Sequence, residues 1–174
     1  MTYKEQITAA MSLLAQDDRA RFVGYGLANG RAAGTLIGAK PHQIVETPVA
    51  ENLMTGVAIG LSLSGLRPVV YFERCDFILN ALDAIVNHLS AARHISRGEF
   101  WPAVIIRVVV GNRSKPLFTG RTHTQDFHLA LSRLVDFPVV RLSPDRDILA
   151  VYETARQAQE RGDSTLILEY KDYL

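Results

Sequence analysis

Apolar residues recur along the chain with two alternating spacings, one typical of helices and the other typical of strands. Apolar positions three and four residues apart predict helices over 3–16, 51–65, 76–96, 127–134 and 144–161. Short runs rich in β-branched and aromatic residues predict strands at 21–27, 43–47, 66–72, 101–111, 138–143 and 164–170. This alternation predicts an α/β fold, a doubly wound, mostly parallel sheet with helices on both faces.

Two segments add detail to this prediction. Residues 101–111, WPAVIIRVVVG, are almost continuously apolar, which is typical of a strand buried on both faces of a parallel sheet. Residues 28–40, ANGRAAGTLIGAK, contain three glycines and are predicted as a loop with one turn of helix at most. Because this loop lacks the glycine spacings of the common phosphate-binding loops, we do not expect a phosphate site in it.

Length and composition indicate one ordinary globular domain. The 174 residues, 48% of them hydrophobic, are enough for one core and few for two, so a single domain over 1–174 is expected. A net charge of +1 gives no electrostatic footprint for nucleic acid or a membrane surface. The one cysteine, Cys75, excludes an internal disulfide framework. Without a signal peptide or a run of about 18 apolar residues, a cytoplasmic location is expected.

The most informative stretch is 43–65, QIVETPVAENLMTGVAIGLSLSG, where a short strand gives way to a helix at Pro48. Glu51 lies in the first turn of this helix, where a carboxylate can simply complement the helix dipole. Gly56, Gly60 and Gly65 recur at close to one helical turn, although glycine costs a helix interior about 1 kcal/mol relative to alanine. Repeated glycines on an apolar helix predict close packing against another backbone, which would place Glu51 in a partly dry interface.

Several segments resemble one enzyme family. TPVAEN, GVAIG and SGLRPVV, followed by LRPVVYFERCDFILNALDAIVN and FWPAVIIR, resemble the beta subunits of 2-oxo acid decarboxylase components, over Glu46 to Arg107. The E-x-x-M and G-R-T-H patterns are similar to transketolase. The chain is thus identified as resembling the pyrimidine-binding domain of the transketolase and 2-oxo acid dehydrogenase group of thiamine diphosphate enzymes, and the resemblance implies the fold of that domain.

The resemblance also implies roles for four residues that follow predicted strands and that we expect to meet on one rim of the sheet. Glu51 would hydrogen-bond the aminopyrimidine ring of the cofactor and exchange a proton with it. Arg74 stands where the family has a stacking aromatic, and it could stack through its guanidinium plane, contact an anionic substrate or mark the loss of the cofactor. Phe77 matches a second aromatic, with a core position as the alternative. His123, in GRTHTQ, would face substrate and assist proton transfer.

The family holds the diphosphate and Mg²⁺ with a G-D-G motif on another domain, and this sequence contains no such motif. The C-terminal domain of the family has no counterpart here either, and no metal ligands are assigned in this chain. The resemblance therefore implies a partner subunit carrying the G-D-G domain, in a heterotetramer. A carrier protein or lipoyl domain is a further possible partner.

The leading prediction is a beta-type subunit of a split enzyme that forms a C2 carbanion or enamine from a 2-oxo acid. One alternative is transketolase-like transfer of a two-carbon ketol unit from a ketose phosphate, and another is a non-catalytic scaffolding subunit of the same fold. His88, His94 and His128 are expected to be surface or structural residues. Cys75 is expected to be a small buried side chain rather than a nucleophile.

Overall fold

A computed structural model describes residues 1–117 and 120–173, and its centre is a six-stranded sheet in which every pair of neighbouring strands is parallel. The strands are β1 (Ala20–Gly24), β2 (Ile44–Glu46), β3 (Arg67–Phe72), β4 (Ile105–Val110), β5 (Val139–Arg141) and β6 (Thr165–Tyr170). Their order across the sheet is β2-β1-β3-β4-β6-β5. The predicted doubly wound parallel fold is confirmed.

The α-helices are α1 (Tyr3–Leu14), α2 (Leu27–Gly34), α3 (Glu51–Leu63), α4 (Ala92–Ile95), α5 (His128–Leu134) and α6 (Ile148–Glu160). Short 3₁₀ helices occupy Pro41–Gln43, Cys75–Ala81, Gly120–His123 and Lys171–Tyr173, and a π-helix spans Asp83–Ser90. No helix in the described part of the chain is long and apolar enough to cross a membrane.

Alternate side chains of the central strands enter two separate cores. In β3, Val69 and Tyr71 join the core beneath α1 and α6, whereas Val70 and Phe72 join the core beneath α3 and the helical segment that follows β3. All six positions of β4 are buried, because both of its faces are covered. The strand that the sequence predicted at 101–111 therefore has the expected burial, although it begins only at Ile105.

Three predicted elements differ in detail. The helix predicted over 76–96 is helical but irregular: it runs as a 3₁₀ helix, a π-helix and the short α4. The 28–40 loop contains α2, which holds left-handed backbone at Arg31, Ala32 and Ala33. The last helix begins at Ile148, because Asp147 rather than Pro144 or Asp145 caps it, and its Oδ1 accepts from the backbone N–H of Ala150.

The sheet changes winding direction between β1 and β3. From β1 the chain crosses through α2 to the edge strand β2, and from β2 it returns through α3 to β3 on the other side of β1. In open parallel sheets, ligands bind beyond the carboxyl ends of the strands at such a switch point. Here those ends carry Tyr25 after β1 and Glu73 with Arg74 after β3.

Candidate functional site

Glu51 is the first residue of α3, and its side chain is buried, with 5% of the residue exposed. Asn80 Nδ2 donates a hydrogen bond to Glu51 Oε2 at 3.3 Å. This bond joins the start of α3 to the 3₁₀ helix Cys75–Ala81, which follows β3. The carboxyl group is thus removed from bulk water and has one long hydrogen bond from a side chain, unlike an exposed residue that only caps a helix.

Tyr25 and Glu73 lie close to Glu51 at the switch point. Burial, together with the nearby charges of Glu73 and Glu51, raises the pKa of Tyr25 to about 12. The phenol therefore stays protonated at neutral pH and can donate a hydrogen bond. Tyr25 and Glu73 also line a cavity of about 230 Å³, whose other walls are Gly26, Gly30, Ala32, Ala33 and Tyr71.

Arg74 is buried although it is charged, with 5% of the residue exposed. Its Nη1 donates to the backbone oxygen of Glu73 at 2.6 Å and to Glu73 Oε1 at 3.3 Å. Its Nε is buried and has no hydrogen-bond partner among the described residues. An arginine in this condition has an unused donor, which normally costs free energy unless a further group meets it.

Phe77 and His123 contact one another. Their ring centroids are 5.1 Å apart and the rings are nearly perpendicular, at 87°. His123 Nδ1 also pairs with Thr122 Oγ1 at 3.1 Å. The edge-on contact fixes the histidine ring against the turn that carries both Phe77 and Arg74.

The segment that carries His123 is held by residues that the sequence analysis did not assign. Asp76 Oδ1 accepts from the backbone N–H of Gln125 at 3.3 Å and from its Nε2 at 3.0 Å. A Cβ built on Gly111, after β4, would lie 1.7 Å from the backbone oxygen of His123, so only glycine fits there. Asp76 lies in the C-D-F segment that resembles the family, and this resemblance was the sequence signal that could have identified it.

The predicted residues therefore form a chain of contacts around one turn. Asn80 of the Cys75–Ala81 helix reaches Glu51, Phe77 of the same helix touches His123, and Arg74 precedes it. The other predicted assignments concern residues elsewhere. His88 and His94 are exposed, His128 is partly buried on α5, and burial raises the pKa of Cys75 to about 12, as expected of an unreactive thiol.

One face of α3 is uncovered. Gly56 and Gly60 have no heavy atom within 4 Å of an added Cβ, and the large side chains of Leu53 and Leu63 on this helix are about half exposed, at 48% and 50%. Val49, just before the helix, is 70% exposed. Within the described chain no backbone packs on these glycines, so the predicted close contact would have to come from another molecule.

The described residues include no group of three or more histidine, cysteine, aspartate or glutamate side chains that could hold a metal ion.

Comparison with known proteins identifies relatives of the chain. The beta subunit of the mitochondrial pyruvate dehydrogenase E1 component of Saccharomyces cerevisiae is 31% identical over 133 residues, which is 73% of this chain and 36% of that protein. The corresponding beta subunit of Rickettsia conorii is 27% identical over 146 residues, 80% of this chain and 44% of that protein. The chain thus spans less than half the length of these relatives, and no family model matches it.

A solved structure described as a split gene transketolase, inactive beta4 tetramer, has the same fold. It superposes with a TM-score of 0.72 over 96% of this chain and 50% of that one, at 20% identity. These relatives and this fold confirm the resemblance to the transketolase and 2-oxo acid dehydrogenase group.

Proposed function

We propose that this homologue of the pyruvate dehydrogenase E1 beta subunits is the pyrimidine-binding, beta-type subunit of a split thiamine diphosphate enzyme. The observation that carries the proposal is Glu51, a carboxyl group that is 5% exposed at the start of a helix whose outer face is open. A buried carboxyl group in the first turn of a helix that has one uncovered face could meet a ring held between two subunits.

The chain's own residues fit the pyrimidine half of the cofactor. When bound, thiamine diphosphate supplies an acidic carbon that can attack a carbonyl group. Glu51 would hydrogen-bond a ring nitrogen and hold or return a proton there. Phe77 would contact the ring as an aromatic neighbour, and Arg74 would contribute a buried positive charge. His123 would move a proton at the substrate carbonyl.

A second subunit would complete the cofactor site. In this proposal the partner carries the G-D-G motif, holds the diphosphate and Mg²⁺, and covers the face of α3 that contains Gly56 and Gly60. Glycine destabilises a helix, but at an interface it lets another backbone approach closely. Such an interface would account for the two glycines in α3. The assembly would be a heterotetramer in the cytoplasm, with a carrier protein or lipoyl domain as a further partner.

We place a 2-oxo acid first as the substrate, because the sequence relatives are pyruvate dehydrogenase E1 beta subunits. Transfer of a ketol unit from a ketose phosphate is the second candidate, and the fold shared with a split transketolase supports it. The scaffolding alternative predicts a folded complex that binds no cofactor at all.

The test has two measurements on the co-purified complex. Calorimetry follows its titration with thiamine diphosphate and Mg²⁺, and an activity assay measures its turnover. We expect Glu51→Gln to keep the hydrogen-bonding shape and lose the ionisable proton, so that turnover falls at least 100-fold, within the range of general acid-base effects of about 10²–10⁴. Glu99→Gln changes an exposed glutamate in the same way and is the matched control.

Equal turnover in the Glu51→Gln and Glu99→Gln complexes would exclude the proposed role of Glu51. Failure of the unmodified complex to bind thiamine diphosphate would support the scaffold instead. Product analysis with a 2-oxo acid and with a ketose phosphate would then separate the two enzyme candidates.

A further inference from the structure

A small cavity lies where the carboxyl ends of β3, β4 and β6 stand side by side. Its volume is about 70 Å³, and its walls are Arg74, Gly111, Asn112, Lys115, Leu117, His123, Thr124 and Lys171. Arg74 follows β3, Asn112 follows β4 and Lys171 follows β6, so three neighbouring strands each deliver a polar residue to the same place. This edge of a parallel sheet is the usual location of ligands.

Positive charge predominates in this cavity. Arg74, Lys115 and Lys171 all line it, together with His123, and none of the described residues that form its walls is an aspartate or a glutamate. Two carboxylates that adjoin wall residues in the sequence contact other atoms: Glu73 accepts from Arg74 Nη1 at 3.3 Å, and Asp172 Oδ1 accepts from the backbone N–H of Arg113 at 3.1 Å. Burial and the charge of Arg74 lower the pKa of Lys171, whereas Glu73 acts in the opposite direction.

Arg74 Nε is the donor that lacks a partner. The side chain is buried, and its Nη1 already donates to Glu73, but its Nε meets no acceptor among the described residues. Guanidinium groups bind carboxylates and phosphates through their N–H groups, and Arg74 is a wall of the cavity, so it could bind an oxyanion there. Asn112 Oδ1 accepts from the backbone N–H of Lys115 at 2.6 Å, which leaves its amide nitrogen as the donor that it can offer.

The size of the cavity limits the ligand. A volume of about 70 Å³ corresponds to about two water molecules at their share of liquid volume. One oxyanion group fits this space, whereas a sugar or a nucleotide base does not. Because His123 is both a wall of the cavity and a neighbour of Phe77, the cavity adjoins the proposed site.

We propose that this cavity binds the anionic group of the substrate, a carboxylate or a phosphate, through Arg74 and Lys171. The inference deepens the proposed function, since it gives Arg74 the task of holding a negative charge beside His123 rather than stacking on the cofactor. A carboxylate would come from a 2-oxo acid and a phosphate from a ketose phosphate, so the preferred anion also indicates the substrate class.

The experiment uses the ¹⁵N-labelled full chain without cofactor or partner. Inorganic phosphate and sodium pyruvate are titrated separately at pH 7, with sodium chloride keeping the ionic strength constant. We expect saturable shifts in the amide signals of Gly111, Asn112, Thr124 and Lys171 and in the Arg74 Nε–H signal. Tighter binding of pyruvate would indicate the carboxylate, and tighter binding of phosphate would indicate the phosphate ester.

Two variants test the assignment. Lys171→Gln removes a half-buried charge from the cavity and is expected to raise the Kd of the preferred anion at least tenfold. Arg74→Gln is expected to have the same effect. Lys4→Gln removes an exposed charge from α1 and is expected to change Kd by less than twofold. If Arg74→Gln does not fold, Lys171→Gln still decides the question.

Absence of saturable shifts with both anions would overturn the inference. Equal weakening by Lys171→Gln and Lys4→Gln would overturn it too, because binding would then reflect overall charge. The titration contains no thiamine diphosphate, so its failure leaves the Glu51 experiment intact, and failure of that experiment leaves this titration intact.

Discussion

At the scale of single residues, the position of His123 depends on the absence of a side chain at Gly111. Gly111 lies so close to the backbone oxygen of His123 that a methyl group would stand 1.7 Å from it. Asp76 Oδ1 holds the same segment through the backbone and the side chain of Gln125. The histidine is thus positioned by backbone contacts at two points, and small changes there should move it.

We predict that Gly111→Ala displaces the 120–125 segment without unfolding the chain. The added methyl group cannot fit beside the His123 carbonyl, so the segment must move by more than about 1 Å, and overpacking of this kind costs about 1–3 kcal/mol. Hydrogen exchange should become faster in 120–125. Gly30→Ala, where an added Cβ meets nothing within 4 Å, is the control, and unchanged exchange in Gly111→Ala would contradict the prediction.

The sequence suggested Glu51, Arg74, Phe77 and His123 as candidate site residues, but it did not suggest the residues that support them. Glu51 and His123 stand within recognisable patterns, whereas the effect of Gly111 depends on a contact with a residue twelve positions away, which no local spacing encodes. The burial of Arg74 against Glu73 was likewise not predictable, because it depends on how three strand ends meet.

At the scale of elements, β4 and β6 are joined by a buried ion pair as well as by their backbones. Arg107 Nε and Nη2 donate to the two carboxylate oxygens of Glu169 at 2.9 and 3.0 Å, and both side chains are almost fully buried. Tyr152 of α6 donates to Glu169, and Arg107 Nη2 also donates to Thr35 Oγ1 at 3.2 Å. The pair thus connects the sheet with α6 and with the end of α2.

We predict that removing either partner of this pair is costly. Arg107→Met or Glu169→Leu leaves one buried charge without its partner, and should lower the free energy of unfolding by about 3–5 kcal/mol. The double variant should cost less than the sum of the two, because neither charge remains. Urea unfolding measures all three.

Arg156→Met provides the comparison for the buried pair. Arg156 pairs with Glu153 and Glu160 on the partly exposed side of α6, and its loss should cost at most about 1 kcal/mol. If Arg107→Met cost no more than Arg156→Met, the buried pair would not have the proposed importance.

Element boundaries show where periodicity is insufficient. Apolar residues three and four apart predicted one helix over 76–96, and the segment is helical, but its backbone changes from 3₁₀ to π to α. The spacing of apolar side chains indicates which face of a helix is buried, but it does not determine the type of backbone hydrogen bonding. The sequence predicted the class of sheet but not the order of its strands, because pairing between distant strands leaves no local signal.

At the scale of the whole molecule, the rest of the described chain leaves one face of α3 uncovered. This face presents Gly56 and Gly60 between partly exposed leucines, on the same helix that begins with Glu51. A partner on this face would cover the two glycines and the exposed leucines and so remove this apolar surface from water.

We predict that Gly60→Leu blocks assembly with the second subunit while the chain itself stays folded. An added Cβ at Gly60 meets no atom of this chain within 4 Å, so the larger side chain has room in the isolated chain and is obstructive only at an interface. Analytical ultracentrifugation should show at least tenfold weaker association. Gln157→Leu is the control, because Gln157 is exposed on α6, on the other side of the sheet. If the two variants bound the second subunit with equal affinity, the prediction would be wrong.

The pairing of β4 with β6 also has a consequence during synthesis. Ile105 pairs with Thr165, so one edge of the most apolar strand remains open while about 60 further residues leave the ribosome. At 5–20 residues per second this interval lasts about 3–12 s, and an open apolar strand edge favours aggregation. Chaperone binding to the nascent chain should therefore peak in that interval and fall once β6 has emerged.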